Sequence, residues 1–511
     1  MTAQPNVLFI TDNGHGLGHL TRMMAVARRA RERFHPVFLT MSQAFPVVRE
    51  LGWPVEYLPS YRKLGLSKAE WGPMFASRLV GLLAHIRPRV VVIDHIFPSP
   101  VLSSIRANSQ GIDFIWSRRG MWREGRNVEA IESSDYFDVV VEPRDVAGPI
   151  DVGLTSEHDR GVTFVDPVIF VDPDEQMERD QARQALGIPL DGKAVLIHLS
   201  DSDEAKLSGL IGKVRDVVES VVGGGIVHFF SPVHALHTGA VSRIDRVIMR
   251  PLYPVATYLK AFDGIVSTAG YNSFHEAVVS GLPAVFVARD TPALDDQVRR
   301  AGFAEWVGRG FFAPSVDDPR FRDAVQRMLS PDEPEIATRV ASELGDFEGG
   351  VQFADVIAAR CESRARQPHV VGQRSGVDGP TKEVLEQVNS GRMLLGNSGR
   401  KAERVAVVAL GFDPSTLARL AAQVATLQEA VASFKPVFLV DDVDKSSLDE
   451  FGFQFESIMT ELEFANIGPG RYEHYVQSSV EGLGARYRAS RVVKLAPDGR
   501  IDPRFLLGEE V

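Results

Sequence analysis

Short apolar runs separated by amphipathic stretches set the plan of this chain. The run 6–11, with Val7-Leu8-Phe9-Ile10 at its centre, reads as a buried strand. Leu20, Met23, Met24 and Ala27 follow at the i, i+3, i+4, i+7 spacing of a helix with one apolar face. Residues 36–39, 54–58, 89–93, 114–116 and 137–142 read as further strands, with helices expected over 43–51 and 61–87. A second series begins at 194–198 and continues through 225–230, 246–250, 264–266 and 283–288, with closing helices over 318–329, 333–344 and 351–366. Buried strands that alternate with helices predict parallel sheets in an α/β fold. The pattern divides into a Rossmann-like unit over 1–170, a second over 175–365, a polar connection over 366–403 and a smaller α/β unit over 404–511.

The last unit echoes the first. Phe34-His35-Pro36-Val37-Phe38-Leu39 returns as Phe434-Lys435-Pro436-Val437-Phe438-Leu439. Gly52 and Glu56 return as Gly452 and Glu456, and Arg89-Val90-Val91-Val92-Ile93 as Arg491-Val492-Val493-Lys494-Leu495. This predicts a partial duplicate of the first unit.

Candidate chemistry sits where strands run into helices through glycine. Ser267-Thr268-Ala269-Gly270-Tyr271-Asn272-Ser273-Phe274-His275-Glu276 joins the strand 264–266 to an amphipathic helix. Asn272 and Ser273 then stand at a helix N-terminus, where free N–H groups and the helix dipole favour a phosphate. As a purely structural element, the same turn is an ordinary strand-to-helix junction with Asn272 or Ser273 as N-cap.

A second junction, Asp12-Asn13-Gly14-His15-Gly16-Leu17-Gly18-His19, follows the first strand. Gly16 and Gly18 let backbone approach a bound group and leave amides to point at it. His19 falls in the first turn of the helix, facing the cleft, and an imidazole can take a proton from a hydroxyl at neutral pH. Ligands of open parallel sheets sit at the carboxyl ends of strands, so Asp94 and His95 are expected in the same cleft, orienting or replacing His19. Arg118, Arg119 and Trp122 belong to a cluster of arginines and tryptophans after the strand 114–116. Guanidinium forks suit phosphate or carboxylate and indole faces suit sugar rings, so these residues, with His95, are the candidate acceptor-binding set.

These segments carry a family resemblance. Gly270-Tyr271-Asn272-Ser273 with Glu276 resembles the Gly-Trp-Asn-Ser-x-x-Glu segment of nucleotide-sugar-dependent glycosyltransferases of the two-domain GT-B fold. Gly16-Leu17-Gly18-His19 with Arg22 resembles the loop of the peptidoglycan-precursor N-acetylglucosaminyltransferase group and, more closely, that of a UDP-sugar hydrolase. The resemblance covers about 1–365. It implies a UDP-sugar held by Gly16, Gly18, Gly270, Tyr271, Asn272 and Ser273, a ribose held by Glu276, and a base against backbone groups of Leu252 or Tyr253. It also implies a sugar selected by Asp296 and Gln297, and displacement with inversion at the anomeric carbon by an acceptor hydroxyl that His19 deprotonates. Two departures stand out: Thr268 replaces a family histidine, and the gap to Asp296-Gln297 is longer. Ser200, in a loop that is glycine-rich in relatives, is a further candidate for the diphosphate, although Asp201 and Asp203 flank it.

Composition narrows the partners. A formal net charge of −11 argues against general nucleic-acid binding. With one cysteine, Cys361, the chain can form no internal disulfide, which fits a reducing cytoplasm. No signal-like leader or bilayer-length apolar run is evident, which leaves membrane contact peripheral. No resident cofactor or metal is expected. Asp441-Asp442-Val443-Asp444 could be read as a metal-diphosphate motif, but reads better as a helix cap. The last unit lacks equivalents of His19 and Asp94, so it is expected to serve acceptor recognition or self-association. The reading is transfer of a hexosyl or N-acetylhexosaminyl group from a UDP-sugar to an unidentified acceptor. A UDP-sugar hydrolase using His19 to activate water, or a non-catalytic nucleotide-sugar-binding protein, are the alternatives.

Overall fold

The computed structural model describes residues 4–12, 17–30, 32–95, 99–199, 204–223, 225–231, 244–289, 295–344, 347–364, 402–431, 434–441, 446–495 and 497. Its first seven strands are β1 (Asn6–Thr11), β2 (His35–Thr40), β3 (Val55–Tyr57), β4 (Val90–Asp94), β5 (Asp113–Ser117), β6 (Val139–Pro143) and β7 (Val162–Val165). A second series comprises β8 (Ala194–His198), β9 (Val227–Phe230), β10 (Val247–Met249), β11 (Gly264–Ser267), β12 (Ala284–Val287) and β13 (Phe311–Ala313). A third comprises β14 (Glu403–Ala409), β15 (Phe434–Val440), β16 (Gln454–Ser457) and β17 (Arg491–Lys494).

The apolar runs become strands because both their faces are covered. In β1, Val7 and Phe9 pack with Met23 and Met24 of the helix Gly18–Ala27. Leu8 and Ile10 pack on the other side with Trp71, Met74 and Phe75 of the helix Lys68–Ile86. The second series forms a separate parallel sheet, ordered β10-β9-β8-β11-β12-β13. There Ala194 and Leu196 face one layer, Val195 and Ile197 the other. This is the alternation that a doubly covered sheet requires.

Two local expectations change. The long helix begins at Lys68 rather than at 61, because Ser67 and Glu70 close a capping box that fixes its start. Residues 60–66 turn instead, with Leu64 N donating to Ser60 O at 3.1 Å. Strands β7 and β13 were not expected: both are short, and β7 is also half-exposed, so their apolar signal is weak.

The helix Gly349–Arg364 returns to the first series, as the sequence suggested. Gln352 bonds both the amide of Asp166 (2.7 Å) and its carboxylate (2.8 Å), and Arg360 Nε donates to Asp113 at 2.6 Å. Gly349 permits this approach: a Cβ there would collide with the Asp166 carbonyl oxygen. Gly349→Ala is expected to cost about 3 kcal/mol, the upper end for overpacking, read as a lower thermal unfolding midpoint.

The third series does not form a free-standing sheet. It extends the first, giving the order β17-β14-β15-β16-β3-β2-β1-β4-β5-β6-β7. The four added strands repeat β4-β1-β2-β3 in the same relative order. The two copies of the third strand meet edge to edge, antiparallel, with Ser457 opposite Tyr57. The echo in the sequence is therefore a pseudo-two-fold seam. Beneath it the helices Lys68–Ile86 and Tyr472–Tyr487 pack together. Arg78 pairs with Glu56 at 2.7 Å, Arg486 with Glu456 at 2.5 Å, and Tyr475 Oη donates to Glu56 at 2.5 Å, all buried.

Candidate functional site

The site lies where the carboxyl ends of β1, β4 and β5 face those of β11 and β12. Strand β1 ends beside β4, with Thr11 opposite Asp94. The helix Gly18–Ala27 therefore starts next to the end of β4, and His19 Nδ1 lies 3.0 Å from Asp94 Oδ1. Arg22, one turn on, forks onto the same carboxylate, with Nε 3.0 Å and Nη2 2.6 Å from Oδ2. Burial acts to raise the Asp94 carboxyl pKa, but Arg22 and then His19 outweigh it and hold it at about 2. An ionised Asp94 is placed to accept a hydrogen bond from His19 Nδ1. The sequence pointed to His19 and Asp94; it did not assign Arg22 a task.

His95 is buried and pairs with Asp12 at 2.9 Å rather than joining this group. Gly18 presents its carbonyl across the cleft, where Asn272 Nδ2 donates to it at 3.1 Å. Thr21 and Tyr253 meet through their hydroxyls at 3.0 Å, and the Arg22 guanidinium stands 5.4 Å from the Tyr271 ring centroid.

On the facing side the helix Tyr271–Val279 has Gly270 as its N-cap, with no side-chain cap. Asn272 and Ser273 thus lie inside its first turn, two and three residues past the N-cap. The first-turn amides have no capping side chain to satisfy them. Tyr271 has a structural placement: its hydroxyl donates to Arg144 O (3.1 Å) and accepts from Val168 N (3.0 Å). Glu276 is half-buried on the next turn, and burial pushes its carboxyl up to about 7 against a hydrogen bond from the Phe170 backbone. The Leu252 amide is taken by Ser231 Oγ at 2.9 Å, which leaves the turn fewer free groups for a base than expected.

Three expected placements, those of Asp296, Arg118 and Trp122, are corrected. Asp296 caps its own helix, accepting from Arg299 N at 3.0 Å, and its amide donates to Met121 O at 2.8 Å. The acid buried in the cleft is its neighbour Asp295, 2.5 Å from Arg300. Gln297 accepts from Arg289 N at 3.3 Å, and its Nε2 lies 4.0 Å from where a Gly270 Cβ would stand. Arg118 turns inward, donating to Glu142 (2.6 Å), His158 O (2.7 Å) and Thr155 O (3.3 Å). Trp122 is buried against Trp116. Arg119, by contrast, faces the cleft's charges: Asp295, Arg22, Asp94 and Arg300. Gly16, Ser200 and Asp442 to Asp444 lie outside the described residues.

Sequence reasoning missed the clasp that joins the two sides. Arg300 is fully buried and donates to Asp145 (2.9 Å) and Ala269 O (2.6 Å) besides pairing with Asp295. His275 Nε2 accepts from Val146 N at 3.1 Å, while Nδ1 donates to Tyr271 O at 2.6 Å. Burial lowers the His275 pKa. These residues gave no motif to follow, since Asp145 and Arg300 are far apart in sequence.

Among solved structures, the chain is similar to the spinosyn forosaminyltransferase SpnP, at 13% identity over 70% of this chain and 99% of that one, with a TM-score of 0.50. The fold is GT-B. Also similar are the glycotransferase of kitacinnamycin (15% identity, 70% and 99% covered, TM-score 0.49) and Phytolacca americana UGT2 complexed with UDP-2-fluoro-glucose and pterostilbene (15%, 70% and 100%, 0.49). No family model and no curated protein matches the chain. Among the described residues no group of three or more His, Cys, Asp or Glu side chains could hold a metal ion, and no helix is long and apolar enough to cross a membrane.

Proposed function

We propose that this GT-B chain is a glycosyltransferase that moves a hexosyl or N-acetylhexosaminyl group from a UDP-sugar to an acceptor hydroxyl, with inversion and without a metal. The observation that carries the reading is the His19–Asp94 pair at 3.0 Å, with the neighbouring Gly18 set against the uncapped start of the helix Tyr271–Val279. In this reading His19 Nε2 takes the proton of the acceptor hydroxyl. Its oxygen attacks the anomeric carbon, and UDP leaves with the electrons of the broken C–O bond. Asp94 orients the imidazole and stabilises its protonated form. The first-turn amides at Asn272 and Ser273 receive the charge developing on the diphosphate, a fixed-dipole contribution. Glu276 holds the ribose, and Asp295 with Gln297 faces the sugar.

The assay that tests this incubates the protein with UDP-GlcNAc, UDP-glucose and UDP-galactose, with and without cell extract. UDP release that requires extract supports transfer. Release in buffer alone means hydrolysis, and binding without release means a sensor.

Glu276 adds a pH signature. The ionised carboxylate is the better acceptor for ribose hydroxyls, and its folded pKa is about 7. Uridine affinity is therefore expected to rise about tenfold between pH 6 and pH 8, and Glu276→Gln to flatten that rise in calorimetric titrations. Stability runs the other way. Between the ordinary carboxyl range and about 7 the folded state holds the proton more tightly than the unfolded one, so this group's contribution falls as pH rises through that window.

A further inference from the structure

Among the described residues, Arg119 is a cleft arginine whose side chain makes no hydrogen bond. It stands two residues past the end of β5, half-buried, in the layer where strand ends meet a ligand. Its charged neighbours are Asp295 and Arg300 from one side of the cleft and Arg22 and Asp94 from the other. Each of those groups is already engaged. Asp94 takes Arg22 and His19, and Asp295 sits 2.5 Å from Arg300, which also holds Asp145. The adjacent Arg118 is fully used by Glu142 and two carbonyls. Among the described residues, Arg119 has neither a hydrogen bond nor an ion pair within 4.0 Å.

A guanidinium half-buried in a cleft loses hydration, and leaving it uncompensated is costly. Its fork is shaped for two acceptors in one plane, as carboxylate and phosphate provide. Strand β5 pairs with β4, so Arg119 follows the strand end next to the one that carries Asp94.

We propose that Arg119 binds an anionic group of the substrate, supplied either by the donor's diphosphate or by a carboxylate on the transferred sugar. This rests on the glycosyl-transfer reading. It goes further in making an anion at this point of the cleft a requirement for tight binding.

The test is calorimetric titration of the full chain and of its Arg119→Gln and Arg119→Lys variants with uridine, UDP, UDP-glucose and UDP-glucuronate. Loss of a charge-assisted fork is expected to weaken binding about 10- to 100-fold. If the diphosphate is the anion, Arg119→Gln weakens UDP and both UDP-sugars by that factor and leaves uridine unchanged. If a sugar carboxylate is the anion, the wild type prefers UDP-glucuronate to UDP-glucose, and Arg119→Gln removes the preference while UDP is unaffected. Arg119→Lys keeps the charge without the fork and should fall between, with an unfolding midpoint that reports whether each variant is intact. Equal affinity of wild type and both variants for all four ligands overturns the role of Arg119 alone. A wild type that binds none of them overturns the glycosyl-transfer reading itself.

Discussion

His19→Ala is expected to lower the turnover of a UDP-sugar by about 10²–10⁴ while leaving UDP affinity within a few-fold. The split follows from the geometry. His19 meets Asp94 at 3.0 Å from the side opposite the first turn of the helix Tyr271–Val279, so it can act on the acceptor without holding the nucleotide. Asp94→Asn should also be slow, because an amide in place of the carboxylate no longer fixes the Nδ1–H tautomer or stabilises the protonated ring. It would in addition leave Arg22 buried without its counter-ion, so Asp94→Asn should lower the unfolding midpoint where His19→Ala does not. Turnover by His19→Ala within a few-fold of wild type would remove the base from the mechanism. A loss of UDP affinity equal to the loss of rate would make His19 a binding residue.

What the sequence revealed and what it hid have a common physical origin. Apolar runs such as Val7-Leu8-Phe9-Ile10 and Ala194–His198 are strands because nothing else buries both faces of so short a segment. The glycines before His19 and at Gly270 mark strand-to-helix junctions, and chains cross to one cleft at strand ends, so the nearness of His19, Asp94 and the Asn272 turn could be expected without coordinates. Choosing between neighbours could not be done that way. Arg118 and Arg119 differ by one residue, and which of them reaches the cleft depends on Glu142, 24 residues on, which draws Arg118 inward. Asp295 and Asp296 differ likewise: the second sits where a helix needs a cap, so the first is left to face Arg300. Trp122 looked like a sugar platform in a polar loop, but Trp116 at the end of β5 offered it a buried partner. Repeated residues showed the duplication in 404–511. An edge strand carries no mark of what will pair with it, however, so the seam between β3 and β16 was invisible.

Arg486→Met is expected to destabilise the whole chain by about 3–5 kcal/mol. Glu456 is fully buried, and Arg486 meets it with Nη2 at 2.5 Å and Nε at 3.0 Å. Among the described residues, the other guanidinium near it is that of Arg78, 3.9 Å away and already paired with Glu56 at 2.7 Å. Removing Arg486 therefore leaves a carboxylate in the core with a shared, distant counter-ion. Replacing both partners, Glu456→Leu with Arg486→Met, should recover most of the loss, because the unpaired charge causes it rather than the missing contact. The unfolding trace also tests the seam. If β16 on β3 makes one cooperative sheet, the single variant shifts one transition that includes the first seven strands. If the last unit were a tethered module, a separate early transition would appear and the unfolding of the first unit would stay where it was. The one-sheet arrangement has a consequence for the cleft, because β3 lies only two strands from β1, whose following helix carries His19. Loosening the seam should then slow turnover at temperatures below the unfolding midpoint, a coupling that a tethered module could not produce.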